Sequence, residues 1–201
     1  MPLSVFREGA AGDLLLDAYE ADVRALVEAN LRILGQKCVD GQPIYSSAQI
    51  EALLLHTPGD ILRKAYRGTF LLSFREEDLV GAGGYLAGPD RENRTGEIIC
   101  TYVHPALQGT GVFSRILLEV ATLAPQDGLA FLEGDALLDP PVLAVYRHIG
   151  CEDMGEVQHQ LDGVVVPRRR FRLDTADLQR TMYAHEQRRR RQAEAEALRR
   201  A

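Results

Sequence analysis

Between residues 95 and 121 the hydrophobic pattern changes from the alternation of a strand to the stripe of a helix, across a short glycine turn. Thr95–Val103 reads as a strand, Gly109-Thr110-Gly111 follows, and Val112, Ile116, Leu117, Val120 and Ala121 then recur at helical spacing. A chain organised this way is a mixed α/β domain rather than an all-β sandwich. The junction also carries a chemical implication. Glycines let backbone come close to an anion, and the first N–H groups of a helix have no internal partners. With the helix dipole, such groups make a site for phosphate or pyrophosphate; the bland alternative is a glycine turn before an amphipathic helix. No Gly-Lys-Ser/Thr follows the glycines and no GxGxxG is present, so neither a P-loop nor a dinucleotide fingerprint is read.

The flanking segments extend the pattern in both directions. Residues 3–7 form a candidate first strand. A helix is expected from Leu14, capped by Asp13 and ended by Gly35, with Leu15, Tyr19, Val23, Leu26, Asn30, Ile33 and Leu34 near one stripe. A second helix is expected from Ser46 or Ser47, interrupted at Pro58-Gly59, with a short continuation to Arg67. Thr69–Phe74, Leu79–Leu86 and Thr95–Val103 then read as a three-strand meander, with a turn over 88–94. After the glycine helix, Leu129–Leu132 suits a buried strand. Asp139-Pro140-Pro141 opens a helix closed by Gly150. Glu152–Gln160 and Val164–Leu173 pair around an Asp162-Gly163 turn.

Charge divides the chain unevenly. The total is −6. Residues 175–201 hold seven arginines against four carboxylates, so they carry +3 and residues 1–174 carry −9. An acidic body is unsuited to binding a phosphate backbone, so nucleic acid is not an expected partner. No apolar run is long enough for a transmembrane helix, and no signal peptide is read. Three scattered cysteines, Cys38, Cys100 and Cys151, form no CxxC pair, and the five histidines show no metal-ligand spacing, so no metal site is expected. A reducing, cytoplasmic location fits this cysteine usage. The tail reads as a polar accessory helix, with Glu186–Arg190 and Glu196–Arg200 spaced for i,i+4 pairing.

Gln108-Gly109-Thr110-Gly111-Val112-Phe113 resembles the acetyl-CoA-binding motif of the GNAT superfamily of N-acyltransferases, Gln/Arg-x-x-Gly-x-Gly/Ala. Gln108 and Gly111 match, and Phe113 stands where the family has a small residue. The stretch from Asp139 to Cys151 is similar to the family's second motif. There Tyr146 and Gly150 match, while Asp139, Val142 and Cys151 replace the usual Asn, Ala and Phe. The resemblance spans about residues 3–173. It implies a GNAT-like, mostly antiparallel twisted sheet of six to seven strands flanked by about four helices over residues 1–174. Residues 175–201 then form a helical extension outside the proposed chemistry.

The resemblance also implies an activity: transfer of acetyl from acetyl-CoA to a primary amine, by direct attack. Acetyl-CoA would dock at Val103, Gln108, Gly109, Thr110, Gly111, Val112, Phe113 and Ser114. The Val103 N–H would hold the developing oxyanion, and Tyr146 would protonate the leaving thiolate. Strand alternation places Glu97, Ile99, Thr101 and Val103 on one face, and Glu97 is the candidate base for the amine. The bland alternatives are a strand-end surface charge for Glu97 and a packing aromatic for Tyr146. His104 is expected to order the turn before Pro105. The acidic body suggests a cationic acceptor, and a homodimer is left open. A non-catalytic acyl-CoA-binding module is the alternative for the whole chain.

Overall fold

The structure, a computed structural model, describes residues 3–7, 16–88 and 92–200. The expected cap Asp13, the helix start at Leu14 with Leu15, and the tip of the 88–94 turn lie outside them. Strands are β1 (Leu3–Phe6), β2 (Cys38–Val39), β3 (Gln42–Pro43), β4 (Thr69–Arg75), β5 (Asp78–Ala87), β6 (Thr95–Val103), β7 (Phe131–Leu137), β8 (Glu152–Leu161) and β9 (Val164–Asp174). Helices are α1 (Glu20–Leu34), α2 (Ser47–Ala65), α3 (Val112–Gln126), α4 (Pro140–His148) and α5 (Thr175–Arg200). Seven strands form the main sheet in the order β1-β4-β5-β6-β7-β9-β8, and β2 and β3 form a separate small hairpin.

Every neighbouring pair in the main sheet is antiparallel except β6 with β7. That parallel pair is short. Thr95, Gly96 and Glu97 match Phe131, Leu132 and Glu133, and the pairing stops there. From Ile98 to Val103 the two strands run without ladder contacts, which opens the centre of the sheet. Tyr45 helps hold the far side of this opening. Its hydroxyl donates to the Pro167 carbonyl (2.7 Å) and accepts from the Leu138 N–H (2.8 Å). Burial raises the pKa of this phenol, so it stays protonated and able to donate.

Two apolar clusters cover the two faces. Val23, Leu26, Val27 and Leu31 of α1 and Leu53, Ile61 and Leu62 of α2 pack with Phe70 and Leu72 on one face. Val112, Ile116, Leu117, Val120 and Ala121 of α3 pack with Leu71, Val80 and Ile98 on the other. The expected α3 stripe is therefore the buried one. Leu178 and Met182 of α5 belong to the same cluster, each 2% exposed. The Thr175 hydroxyl also bonds the carbonyls of Leu129 and Ala130 (3.1 and 3.0 Å). The start of the C-terminal helix is thus seated in the body.

Several local readings change. Pro58 does not interrupt α2, which runs unbroken to Ala65. An internal proline costs about 3 kcal/mol, but the helix buries Leu53, Ile61 and Leu62, each contributing about 1.5–3 kcal/mol. A capping box fixes the start of α2, as Ser46 and Gln49 bond each other's backbone N–H. Gly35 is not a left-handed stop, because its φ is −63°. It is small because α2 passes close, and a Cβ there would lie 3.3 Å from Ile50. The strand expected over Leu129–Leu132 runs instead from Phe131 to Leu137, along β9.

Candidate active site

The opening between β6 and β7 leads into a cleft of about 1070 Å³. Its walls come from α1 and α2 on one side, the loop before α3 and the α4 helix on the other, and α5 at one end. Val103, Gln108, Gly109, Gly111, Phe113, Ser114, Glu97 and Tyr146 all line it. Thr110 sits between two of these residues, and Val112 is turned into the core at 1% exposure.

Val103 occupies the end of β6, and the ladder decides where its amide points. The His104 N–H bonds the Val80 carbonyl at 2.8 Å, while Val103 faces Gly81. That makes Val103–Gly81 a non-hydrogen-bonded pair, so the Val103 N–H and C=O turn away from β5. They face the side where β7 has diverged. The Val103 carbonyl accepts from Asn30 Nδ2 (3.1 Å). Asn30 also accepts from Gln108 Nε2 at 3.1 Å, so one α1 side chain ties β6 to the glycine loop. Its polar character within an otherwise apolar stripe was the only trace of this role in the sequence.

The loop after β6 begins with a short 3₁₀ turn, Pro105–Leu107. The His104 ring accepts from the Ala106 N–H at 3.3 Å, so His104 orders the turn. The Thr110 hydroxyl donates to the Leu107 carbonyl (2.6 Å). Gly109 and Gly111 adopt φ of 79° and 96°, a left-handed region that costs other residues about 1–2 kcal/mol. The opening residues of α3, Val112, Phe113 and Ser114, have N–H groups with no intrahelical acceptor. Space above Gly109 is open, with no atom within 4 Å of the position a Cβ would take. A diphosphate fits this loop by backbone donors and helix polarity.

Phe113 does not fill the loop. Its ring stands edge-on to Tyr146, with centroids 6.4 Å apart, and Tyr146 stacks on Phe171 at 5.1 Å. The three rings fix Tyr146 on the cleft wall. Phe113, placed where the family has a small residue, thus supports Tyr146.

Glu97 and Val103 do not share a face, contrary to simple alternation. Gly84 pairs with Cys100 and Tyr85 with Ile98, so Ile99 is an extra residue on β6. This β-bulge reverses the facing of the later β6 residues. Ile99 packs with the α1–α2 cluster, and Val103 with the α3 cluster. Glu97 accepts from Lys64 Nζ of α2 at 2.7 Å, and Lys64 also pairs with Asp60 at 3.0 Å. Burial acts to lower the Lys64 pKa, but the hydrogen bonds it donates to Glu97 and Asp60 outweigh it, and the pKa is raised.

Other cleft carboxylates are paired in the same way. Asp139 meets Lys37 at 2.6 Å rather than capping α4. Asp135 of β7 accepts from Arg170 at 2.7 and 2.9 Å and lies 2.7 Å from His159. Burial acts to raise the Asp135 pKa, but Arg170 and His159 lower it overall. The acidity of residues 1–174 is therefore not concentrated as unpaired carboxylates here. The His159–Asp135–Arg170 group joins β7, β8 and β9. No spacing in the sequence announced it, because its members come from three strands.

The sheet, its central opening and the loop beneath it define an α/β transferase-type fold. The model of the Acetyltransferase (GNAT) family matches residues 41–151, and the chain belongs to that family. Among solved structures, a GCN5-related N-acetyltransferase from Rhodopseudomonas palustris is 21% identical, with 86% of this chain and 94% of that chain covered and a TM-score of 0.63. A PaiA N-acetyltransferase from Thermoplasma acidophilum, solved with coenzyme A, is 14% identical, with coverages of 87% and 99% and a TM-score of 0.58. yncA of Salmonella typhimurium, solved with acetyl-CoA, is 15% identical, with coverages of 86% and 94% and a TM-score of 0.50. At these identities the structures show a shared fold. No curated protein sequence matches this chain. Among the described residues there is no metal-ligating cluster, and no helix is long and apolar enough to cross a membrane.

Proposed function

We propose that the protein transfers an acetyl group from acetyl-CoA to a primary amine by direct attack. One observation carries this reading: the Val103 N–H turns away from β5, to the side where β6 and β7 part, in the cleft that the glycine loop also lines. Backbone N–H groups of Gly109 and of Gly111 to Ser114 would hold the pyrophosphate, while that of Thr110 is taken by the Leu107 carbonyl and Gln108 is fixed by Asn30. Acetyl-CoA supplies a thioester carbonyl open to attack.

The chain's own groups then divide the work. Val103 N–H donates to the carbonyl oxygen as that oxygen gains negative charge. Glu97 accepts a proton from the amine as the C–N bond forms, after which the C–S bond breaks. Lys64 holds Glu97 in place through the 2.7 Å contact. Tyr146 gives its phenolic proton to the departing sulfur. The α1–α2 wall, with Asn30, Ile33, Asp60 and Lys64, borders the acceptor. A cationic acceptor is favoured through the field of the −9 body. The scattered cysteines support a reducing, cytoplasmic setting for this reaction.

The test is a turnover screen with acetyl-CoA against varied primary amines, read by free-thiol release. Amine-dependent release at a saturable rate is expected. Saturable acetyl-CoA binding with no release across the panel would instead identify a non-catalytic binding module. Absence of binding would refute the reading altogether.

A further inference from the structure

The C-terminal helix enters the cleft that the expected domain division assigned to residues 1–174. Leu178, Met182, His185 and Arg189 succeed each other at spacings of three and four, so they share one face of α5. The first two are buried against α3, and the last two line the cleft. The stripe thus changes from apolar to cationic where the helix leaves the core and passes the glycine loop. Arg189 Nη2 donates to the Thr110 carbonyl at 2.8 Å. Its guanidinium lies so close over Gly111 that a Cβ there would overlap it. The glycine at 111 therefore admits both the left-handed turn and the arginine.

The neighbouring charges are already committed, or are absent. Glu186 pairs with Arg190 at 2.9 Å, and Arg188 Nε bonds the Ala184 carbonyl at 3.4 Å. Among the described residues no carboxylate forms an ion pair with Arg189. His185 meets His148 edge-on, with centroids 5.2 Å apart. Burial, with Arg188 and His148 adding repulsion, lowers the His185 pKa, so this imidazole is neutral at pH 7 and Arg189 is the cation at the loop. A guanidinium carries five N–H donors, and one bond to Thr110 leaves several for an anion. Its planar fork suits phosphate oxygens.

We propose that Arg189 is a donor-binding residue: laid across the Thr110–Gly111 backbone from α5, its guanidinium binds the pyrophosphate of the acyl-CoA. This rests on the acetyl-CoA reading above. It lies outside the family-matched segment, residues 41–151, and makes the C-terminal helix part of the donor site. The backbone donors of the loop are neutral dipoles, so Arg189 supplies a full positive charge to a diphosphate they alone would hold less tightly.

The test is calorimetric titration of the full chain with CoA and with dephospho-CoA, which keeps the pyrophosphate but lacks the 3′-phosphate. Arg189→Gln is compared with wild type and with Arg188→Gln, one position along the same exposed turn. Arg189→Gln is expected to weaken both ligands equally, roughly tenfold to a hundredfold, as for a lost charge-assisted hydrogen bond. Arg188→Gln should match wild type. Wild-type affinity for CoA that Arg189→Gln leaves unchanged or strengthens would overturn the proposal, and strengthening would mark Arg189 as a plug. A loss seen with CoA but not with dephospho-CoA would move the contact to the 3′-phosphate and overturn the pyrophosphate assignment. If wild type itself binds neither ligand, the acetyl-CoA reading falls and this proposal falls with it.

Discussion

Gly111→Ala tests the geometry of the loop through stability, apart from any ligand. At φ of 96° an alanine pays the left-handed penalty, about 1–2 kcal/mol. Its Cβ also displaces the Arg189 guanidinium and breaks the 2.8 Å bond to the Thr110 carbonyl. A neutral acceptor at an exposed site makes that bond worth about 0.5–1.5 kcal/mol. The two losses sum to about 1.5–3.5 kcal/mol. At about 2–4 °C per kcal/mol for a chain of this size, Tm should fall by about 3–14 °C in thermal unfolding followed by circular dichroism. The same substitution in an Arg189→Gln background should cost less, because only the backbone strain remains. The coupling between the two positions should be about 0.5–1.5 kcal/mol. An unchanged Tm in Gly111→Ala would refute the left-handed loop. Strict additivity in the double variant would refute the guanidinium–glycine contact.

Further expectations concern the walls of the cleft. Tyr146→Phe should slow acetyl transfer by roughly a hundredfold, at the low end of general-acid contributions, with little change in acetyl-CoA affinity; loss of folding instead would make the ring purely structural. Glu97→Gln should slow turnover most at low pH, where the amine is hardest to deprotonate, and a parallel pH–rate profile would remove Glu97 from the mechanism. Asp135→Asn should cost about 1–3 kcal/mol at pH 7, since it removes charged hydrogen bonds to Arg170 and His159. Because the folded pKa of Asp135 is depressed, this contribution is present above the unfolded carboxyl value near 4 and is lost as pH falls through the lower folded value. Acid unfolding of the variant should therefore converge on wild type, and a constant gap down to strongly acidic pH would refute the assignment. Burial pushes the Cys151 thiol up to about 12, whereas Cys38 is exposed. Iodoacetamide at pH 8, with peptide mass spectrometry as the readout, should label Cys38 well before Cys151.

Local signals carried much of the fold. The α3 stripe, the meander, the α4 start at two prolines and the Asp162-Gly163 turn all rest on interactions between near neighbours, and each stands where the pattern put it. Signals that depend on distant packing were weaker. Pro58 looked like a break because its local cost is visible, while the compensating burial of Ile61 and Leu62 comes from the sheet. Gly35 does stand at the end of α1, but with a right-handed φ, so the nearness of Ile50 from another helix rather than a left-handed turn explains its size. The facing of Val103 relative to Glu97 turned on a single inserted residue at Ile99, which alternation cannot reveal.

By itself the sequence determined the order of the main-sheet strands and the helices between them, though not the small β2–β3 hairpin, and the glycine loop before α3, since spacing and glycine chemistry are properties of short segments. Only the tertiary structure decided what surrounds that loop. It separated β6 from β7 after three paired residues and turned the Val103 amide to the side where they part. It set Glu97 against Lys64 and clamped Tyr146 between two phenylalanine rings. It also brought Arg189 back over Gly111. That last contact joins residues far apart in the chain, and it depends on Leu178 and Met182 being buried against α3. The amphipathic register of the tail, rather than its net charge, carries an arginine to the loop.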